Sequence, residues 1–233
     1  MKINESGRSM IEMLGVLAII GVLSVGGIAG YSKAMAKFRS NKTIDQVSHI
    51  VANTRILFGS QRDYSGLGTG QNATTTAKDV IGKAKLLPDE MISGDGTQGK
   101  DWKFTNAYAG SVAMLPTGRL IAGDNKAFVV VFTGIPQEAC IDLAAQDWGA
   151  SSGSGFISLT VKGNSGTNAA AIDDAFAENL AGVHAITYQD CSVDKAGNGT
   201  KTACGKDGDP MSVLDASIGC AHKNFNTMIF KFY

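Results

Sequence analysis

The sequence predicts an α+β protein: one long N-terminal α-helix, its apolar half protruding, packed through its second half on a mainly antiparallel β-sheet head with short helices and disulfides. Three observations carry this expectation. Twenty residues without a charge lie between Glu12 and Lys33, and the apolar spacing that follows stays helical, with no proline before Pro88. Beyond residue 100 the apolar strings shorten to strand length, as in 127–133, 156–162 and 226–233. All four cysteines, Cys140, Cys191, Cys204 and Cys220, fall in that second part.

The first element is the charge-free run. At about 1.5 Å per residue it is about 30 Å long, the thickness of a bilayer's hydrocarbon core. The run is therefore a membrane-length segment. One carboxylate, Glu12, stands on the border of the run, five residues after Gly7. A charge there is costly to keep in lipid unless it meets a partner or the interface. An amino terminus newly made at Arg8 would lie one helical turn from it, in the same chain or on a neighbour. An ordinary secretory signal differs, because it discards its apolar region together with its cleavage site. The simpler alternative is a plain anchor in which Glu12 is incidental.

From residue 33 the chain turns polar without losing helical spacing: Met35, Phe38, Ile44, Val47 and Val51 form one stripe. The stripe is too short and irregular for sustained heptads. It carries the helix to about Phe58, about 75 Å from residue 8. Residues 59–71 read as a loop, and Gly66, Gly68 and Gly70 lack the preceding strand and the Lys-Ser/Thr ending of a phosphate-binding loop. A short helix is expected over 76–86, stopping before Pro88, and then a Gly-rich turn before Trp102. Pro116-Thr-Gly118 reads as the turn of a hairpin between 112–115 and 119–122. Residues 127–133 are apolar on both faces and predict a central strand, one covering layer being the long helix. Pro136 suits the first turn of a helix, which would turn Cys140, Leu143 and Ala144 inward with Trp148 a turn further on. Residues 156–162 alternate as a half-buried strand, 169–180 carry a helical stripe, 183–188 form a strand, and 226–233 alternate as the last strand. Residues 194–210 have almost no apolar side chain and read as an exposed loop.

Formal net charge is +0 and only 18% of residues are charged, below the usual quarter or so. Copies of such a surface repel one another little, and no Lys/Arg cluster offers a nucleic-acid footprint. An even cysteine count confined to the second part fits disulfides in an oxidising compartment, with three pairings possible. Zinc would need a C-x-x-C pair or a nearby histidine at ligand spacing, and neither occurs. His49, His184 and His222 are far apart, and no nucleophile elbow, H-E-x-x-H or Walker sequence is present. The expectation is a non-enzymatic chain without a cofactor. Asp194, Asp207 and Asp209 lack the closely alternating ligands and closing Glu of a calcium loop. Asn72-Ala-Thr and Asn198-Gly-Thr match a glycosylation triplet, a pattern common by chance.

Gly7, the carboxylate Glu12 and the string Ala-Ile-Ile-Gly-Val-Leu of residues 18–23 together resemble the leader and N-terminal helix of type IV pilins. The resemblance implies that a prepilin peptidase cuts after Gly7 and that the new N-terminal residue, Arg8, is methylated. It also implies that Glu12 offsets a neighbouring subunit's amino group during assembly. Arg8 stands where that family usually has Phe or Met, and the family's helix-breaking proline is absent. Gly26, Gly27 and Gly30 would supply the flexibility instead, since a glycine weakens a helix by about 1 kcal/mol. A second passage, Gly134-Ile-Pro-Gln-Glu-Ala-Cys140-Ile-Asp-Leu143 directly after a strand, resembles type IVb pilins such as the toxin-coregulated pilin and the thin-pilus pilins of conjugative plasmids. That likeness implies a Cys140–Cys220 disulfide, leaving Cys191 with Cys204.

The expected organisation is a leader over 1–7, a long helix over 8–58 (8–32 in the membrane or filament core, 33–58 amphipathic) and a head over 59–233. The implied function is a subunit of a homo-oligomeric helical filament. It would wait in the bacterial inner membrane as a prepilin, with the peptidase and the pilus assembly machinery as partners. It would then serve outside the cell as a pilus for adhesion, aggregation or conjugative contact. A secretion pseudopilin or minor pilin would share the anchor, and a membrane-anchored periplasmic binding domain is the alternative of a different class.

Overall fold

The structure is a computed structural model, and it describes residues 6–67, 73–94, 96, 102–118, 124–149, 155–163, 200–204 and 210–233. Expectations for 169–180, 183–188, Cys191, His184, Asn72, Asn198, Asp194, Asp207 and Asp209 fall outside these residues.

Helix α1 runs Ser6–Phe58 without a break, ending where the apolar stripe ends. It starts two residues before Arg8, so the first turn takes in Ser6 and Gly7, which the sequence assigned to a leader. The chain divides into two compact units, Met1–Arg39 and Ser40–Tyr233. In the first, only α1 is described, and it stays helical through Gly26, Gly27 and Gly30.

In the second unit, the last turns of α1 lie in one buried cluster with a five-stranded sheet. Val47, Ile50, Val51 and Phe58 of the helix join Phe128, Val130, Phe132, Phe230 and Phe232 there. The predicted stripe therefore becomes core from Val47 onward, with Ile44 packed at its edge. The buried face also carries Thr43, Gln46 and Thr54, polar residues that a hydrophobic pattern passes over. Each needs a partner inside. Thr54 Oγ1 donates to the Ile50 carbonyl at 2.6 Å. Gln46 Oε1 accepts the Ala107 amide at 3.3 Å, and its Nε2 donates to Glu90 Oε1 at 3.3 Å.

The strands are β1 (Ile92–Ser93), β2 (Lys103–Phe104), β3 (Val112–Thr117), β4 (Ala127–Ile135), β5 (Phe156–Gly163), β6 (Thr200–Cys204) and β7 (Asn226–Phe232). β1 and β2 form a two-stranded ribbon, and the main sheet has the order β3-β4-β7-β5-β6 with every pairing antiparallel. The other α-helices among the described residues are α2 (Ala73–Lys83), α3 (Gln137–Ala144) and α4 (Val213–Gly219). α2 starts three residues earlier than expected.

β4 is the buried central strand that its two-sided apolar pattern predicts. β5 and β7 differ from expectation: every residue of β7, and 156–161 in β5, is buried rather than half-buried. The last strand of the chain sits in the middle of the sheet, between β4 and β5, where both of its faces are shielded. Pro116 is a second correction, being inside β3 opposite Phe128 rather than in a turn. β3 is an edge strand, the place in a sheet where a missing N–H is tolerated. A third concerns 194–210, read as loop throughout, in which Thr200–Cys204 pairs with β5 as the opposite edge strand among the described residues. An edge strand needs backbone partners more than apolar side chains, so composition does not announce it.

Candidate assembly site at the N-terminal helix

Between Met10 and Tyr31, α1 holds thirteen large apolar side chains, and all are exposed in the subunit. Ile11 at 73% and Val22 at 75% are typical. Burying one such side chain fully is worth about 1.5–3 kcal/mol relative to water, so this surface belongs in lipid or against other protein. The helix is long and apolar enough to cross a membrane, with a mean hydropathy of 2.2 in its most apolar stretch. Glu12 is exposed on the same rod. The Gly7–Arg8 bond lies in the helix's first turn. A methyl group built at Gly15, Gly21, Gly26, Gly27 or Gly30 would meet nothing within 4 Å. Among the described residues these glycines make no close packing contact.

The head supplies the second group of predicted residues. Cys140 in α3 and Cys220 just after α4 are joined, with Cα atoms 5.9 Å apart and both residues fully buried. The bond ties α3, which follows β4, to the segment that leads into β7. Gln137 reinforces it: its Nε2 donates to the Cys220 carbonyl at 2.9 Å and its amide to the Lys223 carbonyl at 3.0 Å. Leu143 and Ala144 face inward as expected, and Trp148 donates to the Leu143 carbonyl at 2.8 Å while packing edge-on to Phe230. Cys204 lies in β6, and its pairing with Cys191 falls outside the described residues.

The two described histidines do not converge. His49 is exposed on α1. His222 Nδ1 accepts the amides of Asn224 and Phe225 at 3.2 and 3.0 Å, shaping the turn before β7. Among the described residues no three His, Cys, Asp or Glu come close enough to hold a metal ion.

Several anchoring residues escaped the sequence reading. Arg55 Nε donates to the Tyr233 carbonyl at 2.9 Å, and its guanidinium stands 5.8 Å from the Phe232 ring centroid. Burial pushes its pKa down, opposed by Tyr64 and Tyr233, and its Nη2 is buried with no hydrogen-bond partner among the described residues. Gly155, at φ +66°, donates no side chain to this corner but accepts the Tyr233 amide at 2.9 Å. Asn106 bridges its loop to β4, donating to the Thr133 carbonyl at 2.8 Å and accepting the Tyr108 and Gly110 amides. Gly110 is required beneath it, because a Cβ there would collide with the Thr133 carbonyl. Asn226 donates to the Ile135 and His222 carbonyls. Only α4 had a readable signal: Ser212 is its N-cap, the Asp215 amide donating to Ser212 Oγ at 3.1 Å and the hydroxyl to Asp215 Oδ2 at 2.7 Å.

A profile of the PilS N-terminal family matches residues 37–207, more than half of the chain. The chain belongs to that family. It is a type IVb-like pilin, as the Gly134–Leu143 passage led us to expect. Its relatives include the major structural subunit of bundle-forming pilus from Escherichia coli O127:H6 (strain E2348/69 / EPEC). The two are 29% identical over 174 residues, covering 71% of this chain and 80% of the relative. The subunit of the same description from Escherichia coli O111:H- is 28% identical over 149 residues, covering 63% and 67%. Among solved structures, TcpA, a type IV pilin from the Vibrio cholerae El Tor biotype, matches at 15% identity with a TM-score of 0.49, covering 84% of this chain and 99% of that one. The family match covers residues 37–207, so it includes the head-side end of α1 and Cys140, while Gly7, Arg8 and Glu12 precede it and Cys220 and β7 follow it.

Proposed function

We propose that the chain is a structural subunit of a type IV pilus of the IVb kind, assembled into a helical filament through α1. The observation that carries this reading is the apolar rod of residues 10–31, which the subunit leaves uncovered and which a bundle of like rods would bury. A prepilin peptidase cuts between Gly7 and Arg8, and the subunit waits in the inner membrane with its head outside the cytoplasm. Glu12 then meets the freed, methylated amine of Arg8 on a neighbour as the subunit leaves the bilayer. In lipid the hydrophobic effect does not favour one helix against another, so close packing has to. Gly26 and Gly30, one helical turn apart with open space around them, let a neighbouring backbone approach and, with Gly27, let the rod flex. The charge pair sets register more than it adds stability, because desolvating two ions costs about as much as their attraction returns. The relatives' role as major pilus subunits supports an abundant filament protein rather than a minor component. The filament would serve adhesion, aggregation or conjugative contact outside the cell.

The test is Glu12→Ala in the full chain. Membrane insertion should stay at wild-type level, since removing a charge from the edge of the span only eases insertion. The yield of sheared surface filaments should fall by about tenfold or more, the ratio that corresponds to about 1.4 kcal/mol. Wild-type filament yield from the variant would remove Glu12 from assembly.

A further inference from the structure

The head carries an apolar knob and an apolar slot on different elements. The knob is the outward face of α4, where Val213 is 65% exposed, Leu214 70% and Ile218 41%. α4 is held rigidly: its Ala216 and Gly219 face is buried, Ser212 caps it, and the Cys140–Cys220 bond pins its end to α3. The described residues leave the knob face exposed. The slot has a volume of about 260 Å³ and lies between Val47, Val51 and Arg55 of α1 on one side and Trp148 and Phe232 on the other. Ser48 at its mouth already donates to the Ile44 carbonyl at 2.9 Å. Water in the slot would find few bonding partners, so an apolar side chain displaces it favourably.

We infer that α4 of one subunit docks into the Val47–Trp148 slot of the next, with Leu214 as the inserted side chain. This rests on the filament reading and adds a head-to-head contact to it. Three features make a second copy the occupant. The size and polarity of knob and slot correspond. Asp215, next to Leu214 on α4, is acidic, and Arg55 in the lining of the slot is basic, so the two surfaces carry opposite charges. The third is symmetry: a patch that fits a pocket elsewhere on the same chain makes a heterologous contact, which propagates as an open helix unless the rotation closes a ring. A filament subunit needs that kind of contact.

The experiment places a photo-crosslinking side chain at position 214 of the full-length chain (Leu214→benzoylphenylalanine), irradiates intact sheared filaments and maps the adduct by mass spectrometry. The expected adduct joins position 214 of one copy to the 47–55 stretch or Trp148 of another. In parallel, Leu214→Asp and Ser48→Trp should each lower filament yield by about tenfold, equivalent to about 1.4 kcal/mol, while the membrane level of the oxidised subunit stays unchanged. An adduct only to α4 of another copy, only to residues 10–32 of another copy, or to no pilin at all overturns the docking, as do both variants assembling at wild-type yield. Those results leave the pilus reading standing. Failure of the wild-type chain to form filaments would overturn the pilus reading itself.

Discussion

Lys231 shows at the scale of one residue what the sheet demands of its central strand. Its side chain is 1% exposed within β7. Burial brings its pKa down to about 8, with Asp124 pulling the other way, whereas in the unfolded chain a lysine titrates near about 10.4. Below pH 8 both states hold the proton and the folded state carries the cost of a buried charge. Between the two values the unfolded chain binds more protons, so stability rises with pH, by about 3 kcal/mol in all. Denaturant unfolding at pH 7 and pH 10 should show that rise, and Lys231→Met should flatten it. A slope unaltered by the substitution would place the titration elsewhere. Gly155 makes a companion test. An alanine there would take a left-handed conformation, costing about 1–2 kcal/mol, and its methyl group would collide with the Arg55 guanidinium. Gly155→Ala should therefore lower stability by more than that conformational cost alone, read from the denaturant midpoint.

At the scale of elements, legibility followed the range of the interactions. α1 was readable to its last residue because its signal is continuous: an uncharged run, then a stripe, with no proline to stop it. α3 and β4 were readable because Pro136 and a two-sided apolar string are local features. At the start of the chain the signal is a carboxylate beside a membrane-length run, and the roles it suggests for Gly7, Arg8 and Glu12 belong to the proposed function. Pro116 misled because a proline two residues before a glycine suggests a turn, and only knowledge that β3 is an edge makes it a strand residue. β6 was hidden because its order comes from pairing with β5, a partner about forty residues away. Arg55, Asn106 and Asn226 were illegible for the same reason, each bridging elements remote in sequence. The Cys140–Cys220 bond was legible only through family likeness, as four cysteines permit three pairings. It spans a separation of 80 residues, so in the chain-entropy account its loss costs about 4 kcal/mol. Cys140→Ser should lower the denaturant midpoint of the head accordingly. A change of less than about 1 kcal/mol would show that loop-closure entropy contributes little here.

At the scale of the whole molecule, the two units divide the work. The head is self-sufficient: helix, sheet and disulfide share one core, and its last strand lies at the centre of the sheet. The apolar rod of the first unit is not, because its large apolar side chains are exposed among the described residues. Near-zero net charge lets copies approach, and a heterologous head contact would fix their rotation. In the proposed function, processing would decide whether the rod can enter such an assembly, since a chain cut after Gly7 presents an amine one turn from Glu12. Intact-mass and N-terminal sequencing of the chain from purified filaments tests this most directly. The account predicts a polypeptide that begins at Arg8 and carries a methyl group on its amine. Filaments built from chains that still begin at Met1 would contradict it.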